Sequence, residues 1–593
     1  MSLTRAGDSP RSMAAWPEDL YRSYAPSMRR RSVHASGPRE QIARHRQDKN
    51  DHNMIFSSHI PDIDIPKCNV LSYLFPKNEP VSSEPIWIDA ADPSINVSPQ
   101  QMLIWIKRVI IGLDKLGLKK GDVCMIHTPN HVLVPAAYLG IVGGTRCFSA
   151  ANPIYTVEEI VHQMKLTEVK CLLAHPSLVE RDLQAAAKVG LSKDRIFQFT
   201  EGEELLPELN GVKDWRHMLG SVDEAEKFSW TELGEEESTN TIATINFSSG
   251  TTGLPKGVMI SHHALVANVA QTARVRWPKL NFENGDKVSG SRWIGFLPLY
   301  HAYGQMYANL MCAKFVVPIH IMKAFVFEDF MKCIQDSKVT ELQVAPPVLV
   351  MMAKRPETKN YDISCVREML CGGAPLGKDL QNEISRRFKC DVKQGWGMTE
   401  VTCGSIIQEE PQDTGTIGKL LPNTKLKLID DDGKEVGYDT PGEMCIQAPN
   451  VMLGYWKNET ATREALMDGG WLKTGDLIKV NALQVAPAEL EDQLLKSSII
   501  ADAAVVGVTI QDEEWPCAYV VLADSVEAKK TTPRQIQDWF RPRVARHKAL
   551  VGGVKFVDEI PKLPSGKIQR KILKEWVKRD TPEFAKNFSR AKL

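Results

Sequence analysis

Residues Ser248-Ser249-Gly250-Thr251-Thr252-Gly253-Leu254-Pro255-Lys256-Gly257 place four hydroxyls, three glycines and a lysine within ten positions. Glycine opens backbone conformations closed to other residues and lets amide groups approach a ligand closely. Hydroxyls and a lysine beside such a loop suit a polyphosphate. The order is not that of a Walker A loop, because Lys256 precedes a glycine and neither Ser nor Thr follows it. A strand-like run, Thr241–Phe247, leads directly into the loop. A loop that only connects two elements at the surface needs none of this chemistry.

Five more groups follow in order. They are Pro298-Leu299-Tyr300-His301-Ala302-Tyr303-Gly304, Cys371-Gly372-Gly373-Ala374-Pro375-Leu376, Gln394-Gly395-Trp396-Gly397-Met398-Thr399-Glu400, Thr474-Gly475-Asp476 and Pro564-Ser565-Gly566-Lys567. With the Ser248 loop they resemble the ordered signatures of the adenylate-forming superfamily of acyl-CoA synthetases, luciferases and peptide-synthetase adenylation domains. The resemblance spans residues 54–593 and is greatest to 4-coumarate–CoA ligase-like enzymes.

It implies an ATP-dependent acyl-CoA ligase that activates an aryl or fatty carboxylic acid as acyl-AMP and transfers it to CoA. ATP, Mg²⁺ and CoA are then the implied cofactor and cosubstrates. Ser248, Ser249, Gly250, Thr251, Thr252, Gly253 and Lys256 would bind phosphate, and His301 would position the carboxylate. Gly372, Gly373, Ala374 and Pro375 would lie against adenine beside Gly395, Trp396 and Gly397. Trp396 stands where relatives usually carry Tyr and offers a larger face for purine packing. Thr399 would donate to phosphate, and Glu400 would hold Mg²⁺, a hard cation that favours oxygen ligands. Asp476 would accept hydrogen bonds from both ribose hydroxyls. Lys567 would reach the carboxylate and α-phosphate, where it stabilises charge as they join.

One departure from the family stands out. Relatives continue from the Thr-Gly-Asp signature through a two-stranded hairpin and an Asp-Arg-x-Lys-Glu hinge. Here Asp476 joins Leu477 directly, and roughly fifteen to twenty residues are missing, a span of about 50 Å or more when stretched. The missing piece includes an arginine that usually helps bind ribose. Lys479 and Gln484 match functional positions of the segment beyond the hinge, while Asn481-Ala482 replaces the Lys-Gly common near the CoA channel. A skipped exon or gene-model error explains the gap. So does a truly shortened chain, which would be an adenylation-only enzyme or a non-catalytic nucleotide binder. Other readings within the superfamily are loading of a separate carrier protein and luciferase-like oxygenation, for which nothing specific stands in the sequence. A P-loop ATPase is disfavoured by the loop order.

The elements that must position these groups alternate in type. Gln101–Leu116 has Leu103, Ile104, Ile106, Val109, Ile110, Leu113 and Leu116 on one broad apolar face and reads as a helix. Val123–His127 reads as a strand, and Val132–Val142 as another helix. Such alternation predicts an α/β fold with a large multi-layer N-terminal domain of mainly parallel sheets. From residue 477 to residue 593 the pattern predicts a small α+β domain, mobile by family resemblance, with residues 54–476 as the ATP- and acyl-binding domain. Residues 1–53 differ. The first fifty contain ten Lys/Arg against five Asp/Glu with little apolar periodicity, which predicts a disordered extension or a misplaced start before Met54.

Lys plus Arg equals Asp plus Glu at 73 each, so no overall field favours nucleic acid. The twelve cysteines contain no CxxC pair and read as reduced, mostly buried thiols. Tyr307–Phe327 is the most apolar stretch, yet Lys314, His320 and Lys323 interrupt it, so it reads as core and not as a membrane span. The chain ends Ala591-Lys592-Leu593, a variant of the Ser-Lys-Leu peroxisomal address read by an import receptor. Peroxisome is the expected location, with cytoplasm or mitochondrion as alternatives; Asp8, Glu18 and Asp19 speak against a mitochondrial presequence.

Overall fold

The computed structural model describes residues 33–36, 54–202, 204–248, 255–410, 416–438, 440–481, 487–510, 513–544, 549–562, 568 and 570–588. The chain divides into two compact units between Asn481 and Ala482, five residues beyond the division that the sequence pattern indicated. The cause is the strand Trp471–Asn481, which continues past Asp476 through a shift in register and keeps the whole segment in the first unit.

In the first unit, an eight-stranded sheet is centred on parallel strands that include Val123–His127, Cys147–Ala151 and Cys171–Ala174. All five residues of Val123–His127 are buried, as expected of a parallel strand covered on both faces. The covering helix runs from Pro99 to Lys115. It begins two residues before the expected start at Gln101 because Ser98 and Gln101 form a capping box and Pro99 fits the first turn. The neighbouring helix, Val134–Gly143, is buried along its whole length. The two approach so closely that a Cβ at Gly140 would lie 2.6 Å from Val109 Cβ.

A nine-stranded sheet carries the other half of the unit, with Trp293–Gly295, Glu341–Val344, Glu368–Cys371 and Asp391–Trp396 parallel to one another. Ligands of such sheets bind beyond the carboxyl ends of the strands. Those ends lead directly into Pro298–Gly304, Gly372–Pro375 and Gly397–Glu400. The eight- and nine-stranded sheets are mainly parallel as expected, and a third sheet adds antiparallel pairing of Lys425–Ile429, Pro441–Gln447 and Trp471–Asn481. Val33–Ser36 joins it in parallel along Ile478–Asn481, a strand within the segment expected to be a disordered extension or a misplaced start. The rest of residues 1–53 lies outside the described residues.

The second unit holds an antiparallel pair, Ile500–Ile510 and Glu513–Leu522, with Gly553–Phe556 parallel to the latter. Leu490 and Leu494 of one helix and Ile536 and Phe540 of another pack with Val505 and Val520 on one side of this sheet. Among the described residues no helix is long and apolar enough to cross a membrane. The apolar stretch from Tyr307 instead forms a buried π-helical segment, Met306–Met311, a short helix and the strand Ile319–Ile321. No disulfide forms among the cysteines, most of which are buried.

A buried charge network braces the nine-stranded sheet. Arg276, the last residue of helix His262–Arg276, bonds Glu341 at 2.6 Å and Glu368 at 2.9 Å through one guanidinium nitrogen. Lys393 holds the other oxygen of Glu368 at 2.7 Å. Burial alone would raise the Glu368 pKa, but Arg276 and Lys393 outweigh it and hold the group ionised. Arg276→Leu would leave two buried carboxylates short of their cation. A loss of about 3–5 kcal/mol is expected, read as a lower denaturation midpoint, with partial recovery when Glu341 and Glu368 become Gln. An unchanged midpoint would contradict this assignment.

Candidate functional site

Strands Ile242–Ser248 and Lys256–Ser261 form an antiparallel hairpin in which Ser248 and Lys256 are paired partners. The residues that join the two strands, 249–254, lie outside the described residues, and with them Ser249, Gly250, Thr251, Thr252 and Gly253. The Lys256 ammonium stands 4.9 Å from the centre of the Tyr455 ring. At the rim of that ring, the Tyr455 hydroxyl donates to Glu400 Oε1 at 2.9 Å. Burial, then the Glu400 charge, pushes the Tyr455 pKa upward, so the phenol keeps its proton. Lys256 and Glu400 come from different sheets and meet at one phenol.

Glu400 is 5% exposed and sits in the turn Thr399–Val401, beyond the strand Asp391–Trp396. No group of three or more His, Cys, Asp or Glu side chains among the described residues could cage a metal. One buried carboxylate bonded to the phenol that Lys256 faces fits Mg²⁺, which keeps waters and takes substrate phosphates as ligands.

His301 caps the short helix Ala302–Gln305, its Nδ1 facing the Tyr303 N–H at 3.5 Å. That contact leaves Nε2 to carry the proton of the neutral ring. The side chain is exposed, yet surrounding protein desolvates it enough to lower its pKa, which favours the neutral form. Asn130, at the end of Val123–His127, holds the approach to this turn. Its Nδ2 donates to Leu297 O at 3.0 Å, and its Oδ1 accepts the Leu299 N–H at 2.9 Å. Beyond His301, the side chains of Gln305 and Asn246 exchange two hydrogen bonds of 3.0 Å, both groups being buried. Asn246 precedes Ser248 by two residues, so this pair ties the phosphate hairpin to the histidine turn. Gly304 is required because any Cβ there would collide with the Pro298 carbonyl.

The segments expected to face adenine grow from adjacent strand ends. Gly372 packs against Tyr303, whose hydroxyl donates to Leu370 O at 2.8 Å. Gly373 takes φ +81°, and it, Ala374 and Pro375 are exposed. Gly395 and half-buried Trp396 end the next strand, and Gly397 has no room for a side chain against the Cys403 carbonyl. Thr399 is buried in the following turn. The Trp396 indole N–H donates to Asp476 Oδ2 at 2.8 Å, joining residues eighty positions apart. Burial raises the Asp476 pKa, and the indole bond opposes that shift.

Lys479 lies on the same strand as Asp476, between the buried Ile478 and Val480, and so faces away from the core they enter. Gln484 and Lys567 lie outside the described residues. The structure thus brings Lys256 to Glu400, and Trp396 to Asp476. It adds Tyr455, Asn130, Asn246 and Gln305, none of which the motifs singled out. Tyr455 sits in Leu453-Gly454-Tyr455-Trp456, an apolar run without a titratable carboxylate or histidine to draw notice.

Residues 85–456 match the AMP-binding enzyme family, and residues 489–567 match the AMP-binding enzyme C-terminal domain. The chain belongs to this family. An acyl-CoA synthetase of Alternaria alternata is 33% identical, over 85% of this chain and 91% of that relative. A 4-coumarate–CoA ligase of Humulus lupulus is 32% identical, over 89% of this chain and 98% of its own. Among solved structures, a long-chain-fatty-acid–CoA ligase from Archaeoglobus fulgidus superposes with a TM-score of 0.61 at 24% identity. It covers 85% of this chain and 99% of that one. This AMP-binding enzyme therefore carries the family's large α/β unit and its smaller C-terminal unit.

The Asn246–Gln305 pair gives a stability test in this AMP-binding enzyme. Asn246→Leu or Gln305→Leu strands one buried carboxamide, and each is expected to cost about 1–3 kcal/mol in denaturation. The double variant should cost less than the sum, because no unmatched amide remains. Strict additivity would contradict the pairing.

Proposed function

We propose that this chain is an ATP-dependent, AMP-forming acyl-CoA ligase whose first half-reaction takes place where the phosphate hairpin meets the Trp396–Glu400 turn. The observation that carries the proposal is the meeting of Lys256 and Glu400 at Tyr455. It pairs a cation for the leaving phosphates with a carboxylate suited to their counter-ion. Family membership and the acyl-CoA ligase relatives support the same reading.

In the first half, a carboxylate oxygen of the acid bonds to the α-phosphorus as the bond to the β-phosphate breaks, giving acyl-AMP and pyrophosphate. The neutral His301 ring offers an Nε2–H to hold the carboxylate in line. Lys256 and the hairpin amides neutralise the departing pyrophosphate. Mg²⁺ held by Glu400 would supply further charge neutralisation when bound. Trp396 packs on adenine next to the Gly372–Pro375 turn, Thr399 donates to phosphate, and Asp476 accepts from ribose. In the second half, the CoA thiol loses its proton, its sulfur bonds to the acyl carbon, and AMP leaves. Lys567, Lys479 and Gln484 keep the roles the resemblance implies.

The acid is an aryl or fatty carboxylic acid; a phenylacetyl-CoA ligase of Aspergillus niger, 31% identical, joins the coumarate relative on the aryl side. Ala591-Lys592-Leu593 supports delivery to peroxisomes through the import receptor, where acyl-CoA chemistry has a use.

A two-armed assay across a panel of aryl and fatty acids tests the proposal. One arm follows acid-dependent ATP–pyrophosphate exchange, and the other follows CoA thioester. Exchange with at least one acid is expected. Thioester formation should lag behind it, because no hinge separates Asp476 from Leu477. Thioester turnover as fast as exchange would overturn the hinge argument. Silence in both arms from folded protein, with nucleotide still bound, would favour a non-catalytic binder.

A further inference from the structure

Asp476 has an unusual environment for a carboxylate assigned to ribose. Its backbone is fixed locally: its N–H bonds Thr474 Oγ1 at 3.2 Å, and the Thr474 hydroxyl donates to Met444 O at 2.8 Å. Gly475 holds φ +75° while its N–H meets Glu443 Oε1 at 3.1 Å. Among the described residues the side chain, in contrast, is held through a single neutral group, the Trp396 indole N–H. No salt bridge to Asp476 forms among the described residues, and desolvation acts on the group with only this N–H against it. A half-buried carboxylate so placed is costly to keep ionised and free to rotate unless the one donor stays in place.

Trp396 is well placed to be that donor. It ends the strand Asp391–Trp396 in the nine-stranded sheet, while Asp476 lies on Trp471–Asn481 in the antiparallel sheet. The indole packs against the cores of both regions, which fixes its plane and hence the direction of its N–H. An ionised carboxylate offers about four lone-pair sites. One taken by Trp396 leaves enough for two vicinal hydroxyls and defines which edge of the carboxylate they meet.

We propose that Trp396 is a positioning residue for sugar recognition, its indole N–H orienting Asp476 so that the site accepts nucleoside triphosphates with an intact 2′,3′-diol and rejects deoxy analogues. This rests on the assignment of Asp476 to ribose. A site built to bond a hydroxyl discriminates strongly against a ligand that lacks it, provided the acceptor cannot turn away. Packing on adenine, the other task of the ring, needs only its face. The two tasks therefore separate in a variant that keeps the ring and loses the N–H.

The test compares ATP, 2′-deoxy-ATP and 3′-deoxy-ATP in acid-dependent pyrophosphate exchange. Wild type, Trp396→Phe and Asp476→Ala are measured on the full chain. A second replacement at 396, β-(3-benzothienyl)alanine, keeps the size of the ring with sulfur in place of N–H and guards against misfolding of the Phe variant. Wild type is expected to favour ATP over either deoxy form by about tenfold or more in kcat/KM. Both ring variants should reduce that preference about threefold to tenfold, and Asp476→Ala should bring it near one. A preference unchanged in the ring variants, or equal losses for all three nucleotides, would overturn the proposal and leave Trp396 a packing residue. A preference that survives Asp476→Ala would instead overturn the ribose assignment beneath it.

Discussion

The carboxamides of Asn246 and Gln305 exchange two hydrogen bonds in the buried core, one amide on the hairpin strand and the other on the helix that His301 caps. Burial makes the geometry strict, since an amide shifted from its partner loses bonds that water cannot replace. Through this pair, the eight-stranded sheet that carries the Ser248–Lys256 hairpin is set against the nine-stranded sheet whose strand ends carry the His301, Gly372–Pro375 and Trp396–Glu400 segments. Asn130 acts in the same sense from a third point by bracketing Pro298.

Once the two sheets are fixed, the remaining contacts follow from chain geometry. The hairpin brings Lys256 over Tyr455, and the turn after Asp391–Trp396 brings Glu400 to the hydroxyl of the same ring. The antiparallel sheet then presents Asp476 to the indole at the end of that strand. Each polar group in this series is charged or neutral as its neighbours require: His301 neutral by desolvation, Tyr455 protonated by burial and by Glu400. The site is thus assembled from short turns at strand ends, while the long buried strands only hold them apart at the right distances.

Much of this was legible in the sequence. The ordered motifs announce the AMP-binding family without any structure, and the apolar stripe of Pro99–Lys115 announces its helix. Other parts were not legible, for physical reasons. Asn130, Asn246 and Gln305 act through hydrogen bonds to groups 59 or more residues away, and a lone amide carries no periodicity. Tyr455 reads as an apolar residue until a carboxylate is seen at its hydroxyl. Val33–Ser36 alternates apolar and polar residues over only four positions, a run too short to stand out in a polar, Arg-rich segment, and its order shows only in the ladder it makes with Ile478–Asn481. The end of the first unit was placed at Asp476 because a motif stopped there, whereas the strand ladder continued to Asn481.

The central claim is that the acid's own oxygen attacks the α-phosphorus at this site. Its most direct test is turnover of a carboxylic acid labelled with ¹⁸O in both carboxylate positions, followed by mass analysis of the phosphate products. The account predicts one ¹⁸O atom in AMP and none in pyrophosphate. Label in inorganic phosphate, or unlabelled AMP formed in step with thioester, would contradict it.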